Sequence, residues 1–152
     1  APNPPPPPPP IALPPVTQPN VDFVHKTNAD NKVVVWSLEY CEFCWTIFGL
    51  LDAIGVPYKT VNIDAFEYAK ENQGNQYRAA LSSVTSINTF PQIFIDGAFV
   101  GGAADACIMW KKGELQPILE KAGLKVENFN GYDGDPFEFL PKWMSQNPQR
   151  SK

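Results

Sequence analysis

Two cysteines three positions apart, Cys41 and Cys44, are the residues of this 152-residue chain best suited to chemistry. They stand in the stretch Tyr40-Cys41-Glu42-Phe43-Cys44-Trp45. A thiolate is a nucleophile, and two thiols within reach of each other can close and reopen a disulfide. The same pair can also be half of a metal site, or two buried thiols. Zinc takes four ligands. The chain offers only Cys41, Cys44, Cys107 and its single histidine, His25, at spacings unlike a usual zinc finger.

The elements on either side decide what the pair can do. Before it runs Val33-Val34-Val35-Trp36, short and β-branched, which reads as a buried strand. After it, Ile47, Phe48, Leu51 and Ile54 recur at helical spacing. Cys41 therefore falls at a strand-to-helix turn. There the unpaired N–H groups and the positive end of the helix dipole favour an anion and lower a thiol pKa. Cys44, one turn on, lies on the same side of the helix and can close a disulfide with Cys41.

Further along, Gly55-Val56-Pro57 stops the helix, and Tyr58 to Ile63 alternates as a second strand. Asp64 opens a helical region over residues 65–83, broken at Gly74. Thr89-Phe90-Pro91 precedes Gln92-Ile93-Phe94-Ile95, Asp96-Gly97 and Ala98-Phe99-Val100, a hairpin turning on Asp-Gly. Gly101-Gly102 then leads into a helix bearing Ile108, Met109 and Trp110, and a last helical piece over 115–122 ends at Gly123. The order predicts an α/β fold. Two parallel strands are joined by the redox helix, a hairpin completes a small mixed sheet, and helices cover both faces.

Composition bounds the partners. With 12 basic and 16 acidic residues and no Lys/Arg cluster, nothing points to nucleic acid. No apolar run approaches ~18 residues, so no membrane span is expected. The opening residues lack the basic and apolar regions of a secretory signal. Few cysteines, with Cys41 and Cys44 foremost, suit a cytoplasmic or other reducing compartment, organelles included. Residues 1–21, with an unbroken run Pro4 to Pro10, read as a disordered linker or tail, and suggest attachment to another domain. Residues 22–124 form the domain. His25 falls in a short segment before a polar turn over 28–32. Residues 125–152 are an extension carrying Phe129, Tyr132, Phe137, Phe139 and Trp143, aromatics that either pack on the domain or bind a partner. Cys107 reads as a small buried hydrophobe.

From about Lys32 to Leu124 the chain resembles a glutaredoxin of the dithiol type, within the thioredoxin superfamily. The resemblance rests on Cys41-Glu42-Phe43-Cys44 after the first strand, Thr89-Phe90-Pro91 before a hairpin, Gly101-Gly102, and Asp105 just beyond. The stretch from Gly113-Glu114-Leu115 to Ala122-Gly123-Leu124 is similar to the family's last helix.

The resemblance implies a thioredoxin-like three-layer fold with a four-stranded mixed sheet. It implies glutathione as co-substrate, Cys41 as nucleophile and Cys44 as resolving thiol. It also implies a cis-Pro91 facing the pair and a glutathione groove formed by Phe43, Arg78, Thr89, Phe90, Pro91, Gly102, Ala104 and Asp105. Phe90 would pair its backbone with the cysteinyl unit, so Phe for the usual valine need not matter there. Ala104 and Asp105 would hold the γ-glutamyl end.

Three departures stand out. Glu42 replaces a proline, and its carboxylate beside the thiolate should raise the thiol pKa. Leu38 replaces a lysine that serves the thiolate and the glycyl carboxylate. Arg78 stands where the family commonly has a carboxylate-binding glutamine. An arginine is the better carboxylate fork, so Arg78 is expected to take over that task; the alternative is a surface charge.

Three functions compete. The first is a glutathione-dependent thiol–disulfide oxidoreductase acting on protein disulfides or glutathionylated proteins, ribonucleotide reductase being a usual client of the family. The second is a carrier dimer with a [2Fe–2S] cluster held by Cys41 and glutathione. The third is a thioredoxin-like reductase without glutathione, against which Gly101-Gly102 and Asp105 argue.

Overall fold

The computed structural model describes residues 12–124 and 127–141. The elements run α1 (Gln18–Asp30), β1 (Val33–Ser37), α2 (Glu42–Ala53), β2 (Lys59–Asn62), α3 (Gln73–Thr85), β3 (Gln92–Ile95), β4 (Ala98–Gly101), α4 (Ala103–Lys111) and α5 (Leu115–Lys121). Short 3₁₀ turns occupy Phe66–Tyr68, Lys70–Asn72, Glu127–Gly131 and Pro136–Phe139.

The sheet order is β2-β1-β3-β4. β1 and β2 are parallel, with Val35 opposite Thr60. β3 runs antiparallel to both neighbours, with Trp36 opposite Gln92 and Ile95 opposite Ala98. Alternation along the strands divides the interior into two cores. Val33, Val35, Ile93 and Ile95 face α2, α4 and α5, where they meet Ile47, Leu50, Trp110 and Leu119. Val34, Trp36, Val61 and Phe94 face α1 and α3, where they meet Val24, Tyr77, Ala80 and Leu81. This is the three-layer, four-stranded mixed arrangement that the resemblance implies.

Two local differences from the sequence reading have clear causes. The first concerns the N-terminal boundary. Helix α1 starts at Gln18, with Pro19 in its first turn, and runs through the segments assigned to the tail and to a polar turn. Its low hydrophobicity hid it, for its anchors are amides. Buried Asn20 accepts from Gln73 Nε2 (3.2 Å) and donates to Gln76 (3.0 Å). Buried Asn28 accepts the indole N–H of Trp36 at 2.9 Å. Buried polar groups persist where they find such partners.

The second concerns Gly74. It does not break the helical region but sits in the first turn of α3. The break is the left-handed pair Glu71 (φ 56°) and Asn72 (φ 57°). Gly74 is a glycine for a steric reason: a Cβ there would collide with the carbonyl oxygen of Ile63.

The aromatic extension packs on the domain as far as it is described. Phe129 is buried, with its ring edge-on to Trp110 at 5.6 Å. Tyr132 and Phe137 lean on the same core. Lys111 pairs with Asp135 at 3.3 Å and holds this segment against α4. Trp143 lies outside the described residues.

Candidate active site

Cys41 is the N-cap of α2, in extended conformation (φ −149°, ψ 106°), and its sulfur accepts the Cys44 N–H at 3.2 Å. That is the helix-start position inferred from the sequence, and its dipole favours a thiolate there once the pair is reduced. The two cysteines are joined as a disulfide, with Cα atoms 5.1 Å apart. Cys41 retains 8% of its surface and Cys44 none. The difference decides which sulfur an incoming disulfide can meet first.

The strand register brings the hairpin to the pair. Because Trp36 lies opposite Gln92, the residues just before β3 sit beside those just after β1. The Phe90–Pro91 peptide bond is cis, and the Phe90 carbonyl oxygen lies 3.9 Å from the Cys41 sulfur. Gln92, buried completely, donates to the carbonyls of Ile87 (3.1 Å) and Thr89 (3.2 Å) and so holds this loop. Sequence reasoning passed over Gln92. The available signal was one polar residue in an apolar strand, which must find partners when buried. A second tie was also missed: the backbone N–H of Glu39 donates to Asp64 at 2.7 Å and pins the approach to Cys41.

α4 closes the third side. Gly101 has φ 129°, and a Cβ there would stand 2.6 Å from the Asp105 carboxylate, so only glycine suits the position. Asp105 Oδ2 accepts the Gly102 N–H at 2.9 Å. A Cβ on Gly102 would lie 3.5 Å from the Pro91 carbonyl oxygen, which puts the start of α4 against the proline loop. Ala104 and Thr89 are exposed at the rim. Phe43, between the cysteines, is half-buried against the α2–α4 core.

Arg78 reaches the site through an aromatic ring. Its guanidinium carbon lies 5.2 Å from the centroid of Phe90. Leu38, where a lysine was the family's choice, packs partly buried on the α1–α3 side, in the cluster that Phe90 also joins. Arg78 also lines a cavity of about 170 Å³ with Asp64, Tyr68 and Asn75.

The remaining candidates stand apart. His25 is exposed on α1 and Cys107 is buried in the opposite core, so the four zinc-type residues are not gathered. Burial pushes the Cys107 thiol up to about 12. Among the described residues no group of three or more His, Cys, Asp or Glu side chains is placed to hold a metal.

Comparison with known proteins agrees with this geometry. A model of the glutaredoxin family matches residues 33–100. The mitochondrial glutaredoxin-2 of Homo sapiens is 36% identical over 115 residues, 76% of this chain and 64% of that protein. This chain thus spans a little under two thirds of that relative's length. A glutaredoxin of Ricinus communis is 36% identical over 95 residues, 62% of this chain and 88% of its own. Among solved structures, the buckwheat glutaredoxin–glutathione complex superposes with a TM-score of 0.63 at 28% identity, covering 72% of this chain and 99% of that one. The holo form of glutaredoxin C1 from Populus tremula x tremuloides gives 0.63 at 30% identity over 69% of this chain and 99% of that one. With a cysteine pair capping α2, a cis-proline loop beside it and these relatives, the chain belongs to the glutaredoxin family.

Proposed function

We propose that this chain is a glutathione-dependent thiol–disulfide oxidoreductase acting on glutathionylated proteins and protein disulfides. The observation that carries the reading is the Cys41 sulfur at the α2 N-cap, 3.9 Å from the carbonyl that precedes cis-Pro91. An extended thiol peptide laid along the backbone of this loop, as along a strand edge, would bring its sulfur to Cys41.

In the first reaction the Cys41 thiolate attacks the glutathione sulfur of a glutathionylated client. The client leaves as a thiolate and takes up a proton, and Cys41 is left bonded to glutathione. A second glutathione thiolate attacks the glutathione sulfur of that mixed disulfide, giving glutathione disulfide and regenerating the Cys41 thiolate. With a protein disulfide, Cys41 attacks one client sulfur, the client S–S bond breaks, and the other sulfur leaves as a thiolate and takes up a proton. Cys44 then attacks the Cys41 sulfur, which frees the second client thiol and leaves the observed Cys41–Cys44 bond for two glutathiones to reduce.

Phe43, Thr89, Phe90, Pro91, Gly102, Ala104 and Asp105 are the proposed groove, with Arg78 at the glycyl end. The position of Arg78 over the Phe90 ring supports that role over a surface charge. A ribonucleotide reductase, or a domain attached through the Pro-rich start, is a fitting client, and a reducing compartment, organelles included, a fitting setting. Among the described residues no helix is long and apolar enough to cross a membrane. The disulfide between Cys41 and Cys44 favours the dithiol reading over a cluster carrier, which needs Cys41 unbonded to protein.

The test is reduction of a glutathionylated peptide and of a protein disulfide by glutathione. Cys41→Ser should abolish both. Cys44→Ser should keep the first reaction and lose the second. Activity surviving in Cys41→Ser would defeat the assignment.

A further inference from the structure

Phe90, given a backbone role alone by the sequence, and Arg78 meet through their side chains. The Phe90 backbone faces the cysteine pair, its carbonyl 3.9 Å from the Cys41 sulfur. Its ring lies beneath the Arg78 guanidinium, 5.2 Å from centroid to Cζ. No protein acceptor pairs with the buried Arg78 Nε among the described residues, and Arg78 makes no ion pair there. The Phe90 ring is thus a protein contact that holds the guanidinium in place. A guanidinium held over a ring keeps N–H groups available for a carboxylate, which its fork geometry receives well. With Leu38 apolar, no second cation shares the task at that position.

We infer that Phe90 is a positioning residue for glutathione recognition: its ring holds Arg78 in place so that the guanidinium receives the glycyl carboxylate. The inference rests on the reading of Arg78 given above. It deepens that reading by assigning a side-chain role to a position whose backbone alone was expected to matter. It also separates the two parts of the residue: the backbone presents the cysteinyl unit to Cys41, and the ring sets the far end of the same tripeptide.

The experiment is a double-mutant cycle on Phe90→Leu and Arg78→Ala, with steady-state kinetics in glutathione and a glutathionylated peptide as second substrate. Phe90→Leu keeps an apolar side chain and removes the π face. It should raise the KM for glutathione about threefold to tenfold with kcat nearly unchanged. Phe90→Trp, which keeps a π face, should raise KM less than Phe90→Leu does. In the Arg78→Ala background, Phe90→Leu should add nothing, because the cation it holds is gone. Equal effects of Phe90→Leu with and without Arg78, or a fall in kcat at constant KM, would show that the ring acts only through loop geometry and would overturn the inference. If Arg78→Ala raises KM but Phe90→Leu does not, the inference fails while the role of Arg78 stands. If Arg78→Ala itself leaves KM unchanged, both fall.

Discussion

The α-carbon of Gly49 on α2 faces the ring of Phe139 so closely that a methyl group added there would stand 2.6 Å from the ring carbon Cγ. The redox helix and the C-terminal extension are thus fitted to each other, and the fit can be measured. Alanine is otherwise the better helix residue, by ~1 kcal/mol. Overpacking costs ~1–3 kcal/mol. Gly49→Ala should therefore lower stability by about 1 kcal/mol in denaturant melts. In a Phe139→Ala background the same substitution should raise it. Removing residues 127–152 should cost several kcal/mol, since burial of Phe129 alone is worth ~1.5–3 kcal/mol. A melt unchanged by that truncation would mean that the aromatics serve a partner instead.

At the other end, truncation should show a sharp boundary. Deletion through Val16 removes residues ahead of α1 and should cost less than about 1 kcal/mol. Deletion through Asn20 strips the first turn of α1 and the amide ties to Gln73 and Gln76, and should cost ~1–3 kcal/mol. Asn28→Ala, which leaves the buried Trp36 indole N–H without its acceptor, should cost a similar amount. Equal melting of the two truncations would contradict the anchoring role of Asn20.

The three cysteines should separate cleanly. In the reduced protein, iodoacetamide at mildly acidic pH should label Cys41 first, because Cys44 and Cys107 are fully buried. Cys107 also leaves a signature in stability. Burial raises its thiol from 9.0 to about 12 in the folded chain. Its contribution is fully present below pH ~9, where the thiol is protonated in both states. It is lost as pH rises from about 9 through 12, with a slope of up to ~1.4 kcal/mol per pH unit. The stability difference between the parent and Cys107→Ala should be flat below pH 9 and should move against the parent above it. A difference that stays flat to pH 11 would rule the burial effect out.

Leu38→Lys restores a cation on the strand side of the groove. In the Arg78→Ala background it should lower the KM for glutathione several-fold, since one charge-assisted hydrogen bond is worth ~1.5–3 kcal/mol. Leu38 packs partly buried beside Phe90 in the α1–α3 core, so a modest loss of stability should accompany the gain. No change in KM would place residue 38 outside the reach of the ligand.

The parts of this protein that its sequence determined by itself are local. The Cys41–Cys44 spacing at a strand-to-helix turn, the Asp96-Gly97 hairpin and the alternation of Val33 to Trp36 each follow from short-range sterics and periodicity, so the fold class and the redox pair were legible. Tertiary structure decided what depends on partners distant in the chain. Helix α1 is polar in composition and becomes stable through the indole of Trp36 on the next strand and through amides on α3, 53 and 56 positions away, which no window of neighbouring residues contains. Gln92 reads as an ordinary strand residue until burial forces it to hold the Thr89 carbonyl. Gly49 and Phe139 are 90 positions apart, and their contact exists only once the extension folds back on α2. Arg78 looked equally like a surface charge or a ligand residue because a side chain's surroundings are set by packing. The Phe90 ring beneath its guanidinium supports the second reading.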